Sequence, residues 1–134
     1  MMAGIGETLE IAKAWVDACD RGDVEGALAL CDREVVLVEA QALPGAVTAT
    51  GIDELRRYLE RFEAHWSETS WEPIEFREAG ERVYLRARLR LTGRRSGIEV
   101  NREWIYVFTV RDGTLLRQEG FDREEDGLRA AGLS

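Results

Sequence analysis

Few side chains in this sequence have both the type and the setting for chemistry, and four stand out: His65, Arg102, Tyr106 and Glu119. His65 is the single histidine, so it is the one side chain whose ordinary pKa falls near neutral pH, and it could act as acid or base. It sits with Tyr58 on the flank of a helical stripe, where a surface histidine is the alternative reading. Arg102 opens the alternating run REWIYVF, on the side shared by Trp104, Tyr106 and Phe108. An arginine among aromatics needs an anion, water or an opening to solvent. It could anchor a carboxylate or enolate oxygen through two hydrogen bonds, or snorkel to a rim. Tyr106 could polarise an oxygen from the same wall. Glu119 could move a proton if its strand turns it inward. In the alternative register Gln118 and Gly120 point inward instead. Cys19 and Cys31 read as small buried hydrophobes. One histidine and two cysteines give too few donors for an ordinary zinc site, and no metal or cofactor is expected.

One domain over 1–134 must position these groups, a length within the usual ~100–150 residues. Hydrophobic residues at 45% supply a core, and the net charge of −8 disfavours nucleic acid and anionic membranes as partners. No apolar run approaches the ~20 residues that cross a bilayer, and MMAGIGETLE lacks the marks of a signal peptide, so the expected location is the cytoplasm.

Ile5, Leu9, Ala12, Val16 and Cys19 recur at helical spacing, with Trp15 at the edge of their face. Gly22 ends this helix and Asp23 caps a short second one carrying Val24, Ala27, Leu28 and Cys31. EVVLVEA (34–40) reads as a strand, and the segment around Pro44 and Gly45 as a loop. A third helix starts near Thr50, where TGID suggests a capping box, and carries Leu55, Leu59, Phe62 and Trp66.

From Trp71 the period becomes two, and the rest reads as an antiparallel meander. A turn at Ala79-Gly80 pairs Phe76 with Val83 and Ile74 with Leu85. A turn at Arg94-Arg95 pairs Leu91 with Ile98, Leu85 with Trp104 and Arg86 with Glu103. The inner face of the following strand is then Ile98, Val100, Arg102, Trp104, Tyr106 and Phe108. Ile105, Val107 and Tyr84 lie outside, an apolar patch that invites a second subunit. The turn near Asp112-Gly113 decides between Glu119 and Gln118. A two-residue turn faces Tyr106 to Glu119, whereas a three-residue loop with a glycine bulge turns Gln118 and Gly120 inward. REEDGLRAAGL (123–133) closes the chain as a helix.

The strings AWVDACDRGDVEGALAL (14–30), TGIDELRRYL (50–59), REWIYVFTVRDGTLLRQEGF (102–121) and REEDGLRAAGL (123–133) resemble the SnoaL-like branch of the nuclear transport factor 2-like, ketosteroid isomerase-like superfamily. The resemblance covers nearly the whole chain. It implies an α+β fold, a cone-shaped curved antiparallel sheet wrapped around three N-terminal helices with a short C-terminal helix. It also implies a single cavity, here lined by Trp15, Val38, Phe62, Arg102, Trp104 and Gln118, and homodimerisation through the sheet. Members include isomerases, polyketide cyclases, epoxide hydrolases, dehydratases and purely structural domains.

Matched residue by residue, the resemblance sets Trp15 at the isomerases' tyrosine, Val38 at their base and Tyr106 at their second acid. Glu39 is adjacent to Val38, and strand alternation should turn it away. Ala87 and Leu89 fall where the epoxide hydrolases hold an arginine and an aspartate, and Glu119 is nearest to the cyclases' acid. Two functions remain in view. One is a cofactor-independent proton-transfer, cyclase or hydratase-type enzyme on a small, largely apolar carbonyl or ring compound. The other is a non-catalytic binding or dimerisation domain that has lost its acid–base residues.

Overall fold

Residues 7–43 and 45–133 are described by the computed structural model; Ile5 and Pro44, placed above in a helix and a loop, lie outside them. Helix α1 (Glu7–Asp20) buries Ala12, Trp15, Val16 and Ala18, so Trp15 belongs to the core face and not to its edge. Gly22 takes φ +71°, the left-handed conformation open to glycine, and ends the first helical segment. Asp23 then accepts a hydrogen bond from the Gly26 amide at 2.9 Å and caps α2 (Val24–Ala29). Strand β1 (Cys31–Val38) begins three residues earlier than the β-branched run suggested. A short β2 (Thr48–Thr50), unmarked in the sequence, pairs with it. Helix α3 (Gly51–His65) starts where expected, but the cap differs. Thr50 makes no side-chain cap; its own amide donates to Glu54 Oε1 at 2.9 Å.

Strands β3 (Trp66–Ala79), β4 (Arg82–Gly93), β5 (Glu99–Arg111) and β6 (Thr114–Phe121) form the meander. Trp66 is thus the first residue of a strand and not the last of a helical stripe. The six strands order as β2-β1-β6-β5-β4-β3 in one curved, unclosed sheet. All neighbours are antiparallel except β1 and β6, which run parallel, so the sheet is mixed. The fold is α+β, with the N-terminal helices against the concave face.

Both proposed hairpin registers are two residues out. The β3–β4 turn is Gly80-Glu81, pairing Ala79 with Arg82 and Phe76 with Leu85; Ile74 falls at a bulge and is exposed. Strand β5 pairs Leu91 with Val100 and Leu85 with Tyr106, leaving Ile98 outside the strand and exposed. A slip of two preserves alternation, so Val83, Leu85, Ala87, Trp104 and Phe108 keep their inner face. Arg86 sits opposite Ile105, yet still reaches Glu103 diagonally at 3.0 Å.

The last hairpin combines the two alternatives. Asp112 and Gly113 form a two-residue turn with both φ positive, at +53° and +77°. A bulge at Leu116 then shifts the register, pairing Phe108 with Gln118 and Tyr106 with Gly120. Gln118 and Gly120 are buried inside, and Glu119 stands opposite Val107 on the outer face.

Helix α4 (Glu124–Ala131) packs on that outer face. Tyr84, Ile105 and Val107 form a second apolar cluster with Ala131, Leu128 and Phe121, and all three are at most 4% exposed. The patch expected to meet a second subunit is therefore covered by the chain's own C-terminal helix. No helix among the described residues is long and apolar enough to cross a membrane.

Candidate functional site

The concave face and the helices do not meet fully, and a cavity of about 370 Å³ remains between them. That volume suits a small organic molecule. All four tryptophans of the chain, Trp15, Trp66, Trp71 and Trp104, line it. Tyr58 and Phe62 come from α3 and Tyr106 from β5, with Leu37, Leu59 and Leu89 filling the apolar wall. Several of the rings meet in two runs. Tyr58 stacks with Phe62 at 6.4 Å, Phe62 meets Trp66 at 6.3 Å, and Trp71 meets Tyr106 edge-on at 4.9 Å.

Polar groups are few and held. At the base, the Trp15 indole donates to Gln118 Oε1 at 2.6 Å, which fixes the amide oxygen. Gln118 is 8% exposed, and no partner among the described residues meets its amide nitrogen. The Tyr106 hydroxyl likewise has no partner among the described residues. Burial pushes it well above the ordinary tyrosine range, with Cys19 and Glu39 adding to the effect, so it stays a protonated donor.

Sequence reasoning turned Glu39 away from this cavity, and the structure turns it in. Val35 and Leu37 are the inward residues of β1, at 1% and 3% exposed, so alternation carries Glu39 to the same face. The expected position, Val38, also borders the cavity but carries no acid. Glu39 Oε2 accepts from the Tyr58 hydroxyl at 2.6 Å, and Oε1 from the Val47 amide at 3.1 Å. Burial, then the hydrogen bond to Glu39, raises Tyr58 far above its ordinary range. The signal was present in the sequence: Val35 and Leu37 set the parity one residue away from the family alignment used.

Of the residues singled out, the cavity brings together Trp15, Val38, Phe62, Trp104, Tyr106 and Gln118. It does not include Glu119, His65 or Arg102. Glu119 is turned outward by the bulge at Leu116 and pairs with Arg117 at 3.4 Å. His65 is exposed at the end of α3, edge-on to Trp66 at 4.6 Å, beside a small surface recess with Arg94, Arg95 and Ser96. Arg102 is exposed and lies over the Trp104 ring at 3.9 Å, a cation–π contact at the rim.

A curved sheet closed on one side by helices around an aromatic cavity defines the nuclear transport factor 2-like class. A SnoaL-like domain model matches residues 12–118, and the chain belongs to that family. No curated protein matches it by sequence. Among solved structures, a nuclear transport factor 2-like protein of unknown function from Burkholderia pseudomallei is 21% identical, with a TM-score of 0.78 over 96% of this chain and 97% of the other. A protein of ketosteroid isomerase-like fold from Catenulispora acidiphila, solved with trimethylamine, is 17% identical, with a TM-score of 0.76 over 93% and 94%. A candidate polyketide cyclase from Xanthomonas campestris is also 17% identical, with a TM-score of 0.75 over 93% and 96%.

Proposed function

We propose that this chain, acting as a single domain, binds a small aromatic or ring-containing carbonyl compound in its cavity and transfers a proton on it without a cofactor. The observation that carries the reading is Glu39, a carboxylate held at the wall of an otherwise aromatic cavity by Tyr58 and the Val47 amide. Glu39 would take a proton from the carbon next to the carbonyl. The electron pair of that C–H bond becomes a C=C bond as the C=O π pair moves onto oxygen, and Tyr106 O–H and the Gln118 amide would donate to the resulting enolate. Return of the proton from Glu39 to carbon or oxygen completes an isomerisation or sets up a ring closure. Candidate polyketide cyclases with this fold support small-molecule chemistry of this kind. The non-catalytic alternative rested on Val38, Ala87 and Leu89 at the family's chemical positions; the acid Glu39 on the cavity wall supports the catalytic reading.

Binding is tested by NMR with propiophenone as probe. Because all four indoles line the cavity, their Nε1–H signals should shift together on titration while the amide of exposed Ile98 stays put. Unmoved indoles at saturating ketone would contradict the reading.

A further inference from the structure

The charge of the cavity is one-sided. Besides Glu39, its lining includes the acids Asp20, Asp23 and Glu63 and, among the described residues, no lysine, arginine or histidine. Asp23 is occupied: it caps α2 and lies 3.8 Å from Arg21. Asp20, Glu39 and Glu63 have no salt bridge among the described residues. Arg94 binds the Glu63 backbone carbonyl and not its carboxylate.

The backbone makes room for this charge. Gly22, at φ +71°, leaves space where any Cβ would collide with the Glu63 carboxylate. Asp20 accepts from the Trp71 amide at 2.8 Å, which ties the acid to the ring that meets Tyr106. Asp20 and Glu63 are both exposed, so the carboxylates sit at the mouth and the rings lie behind them. Deeper in, the amide nitrogen of Gln118, a side chain 8% exposed, and the hydroxyl of half-buried Tyr106 have no partner among the described residues. Trp71 Nε1 is likewise buried without one. No three carboxylate, thiol or imidazole groups among the described residues are grouped to hold a metal ion.

Aromatic faces and uncompensated carboxylates attract the same class of ligand, a weakly hydrated organic cation. Building on the small-molecule reading above, we infer that the cavity selects an aryl- or alkylammonium compound, its apolar body against the tryptophans and its cationic nitrogen at the mouth near Asp20 and Glu63. The absence of any cation from the lining makes an anionic ligand the disfavoured one, which reverses the role first assigned to Arg102.

Three probes sharing one ring and one two-carbon arm separate the possibilities: phenethylammonium, 2-phenylethanol and 3-phenylpropionate. Calorimetry on the intact chain should give the ammonium at least about tenfold tighter binding than the alcohol, with the carboxylate weakest. That preference should shrink as salt is raised. The exposed pair Asp20→Asn and Glu63→Gln should erase it and leave the alcohol's affinity unchanged, since Asn keeps the acceptor that Trp71 uses. Equal affinities for ammonium and alcohol, or a tighter carboxylate, would overturn the cationic ligand while leaving a small-molecule cavity intact. If none of the three binds and the indole signals do not move, both readings fall together.

Discussion

The Tyr58 hydroxyl and the Glu39 carboxylate meet at 2.6 Å, joining the middle of α3 to the residue that follows β1. One hydrogen bond thus fixes an acid at the cavity wall and closes the helix against the strand. Tyr58→Phe removes the donor and frees Glu39 Oε2 while leaving the ring in place. The expected loss is about 1–2 kcal/mol, read as a lower urea midpoint at unchanged slope. An unchanged midpoint would mean that the bond positions Glu39 without contributing to stability.

Trp15 and Gln118 make the same argument at the base of the cavity, across 103 residues of sequence. Gln118→Leu leaves a buried indole N–H with no acceptor and should cost about 1–3 kcal/mol. Gln118→Glu keeps an acceptor for Trp15 but loses the amide donor, so it should fold better than the leucine variant and bind propiophenone more weakly. Equal stability of the two variants would remove the bond from the account.

Gly127 lies where α4 crosses the sheet, and a Cβ there would collide with Ile105 Cγ2. Gly127→Ala should push α4 away, uncover Tyr84, Ile105 and Val107, and cost about 1–3 kcal/mol. Size-exclusion chromatography should show new self-association in this variant. Native elution together with an unchanged midpoint would show that α4 is not seated as described.

Several buried groups hold their protons more tightly in the folded chain. Burial pushes the Cys31 thiol from 9.0 up to about 12, and raises Cys19, Tyr58 and Tyr106 as well. A raised folded pKa contributes stability that is complete below the unfolded value and declines as pH rises toward the folded one. The urea midpoint should therefore hold steady up to about pH 9 and fall between 9 and 12 as unfolded thiols and then phenols ionise. The decline should be shallower in Tyr58→Phe. A flat profile to pH 11 would contradict this burial.

Most of the fold was legible because alternation survives small errors. Both early hairpin registers were two residues out, yet Trp104, Tyr106 and Phe108 kept their inward face, since a slip of two leaves parity untouched. The odd shift was legible only as an alternative: a bulge turning Gln118 and Gly120 inward was one of two readings of the last hairpin, and its place at Leu116, after a two-residue turn, is marked by nothing in TLLRQEGF. Glu39 was expected to turn away from the cavity, although buried Val35 and Leu37 state the parity of β1 that carries it inward. The outer apolar patch was read correctly as apolar; its cover was not foreseen because the docking of α4 depends on Gly127, a tertiary requirement with no local pattern.

If Glu39 moves a proton on a ligand held by the aromatic cavity, the α-carbon of propiophenone should take up deuterium in heavy water, followed by proton NMR with the wild-type chain and Glu39→Gln. Exchange above the buffer rate is expected for the wild type and at least about 100-fold slower exchange in the variant, with ketone affinity little changed. Equal exchange by both chains, or none above buffer with ketone bound, would contradict this role of Glu39.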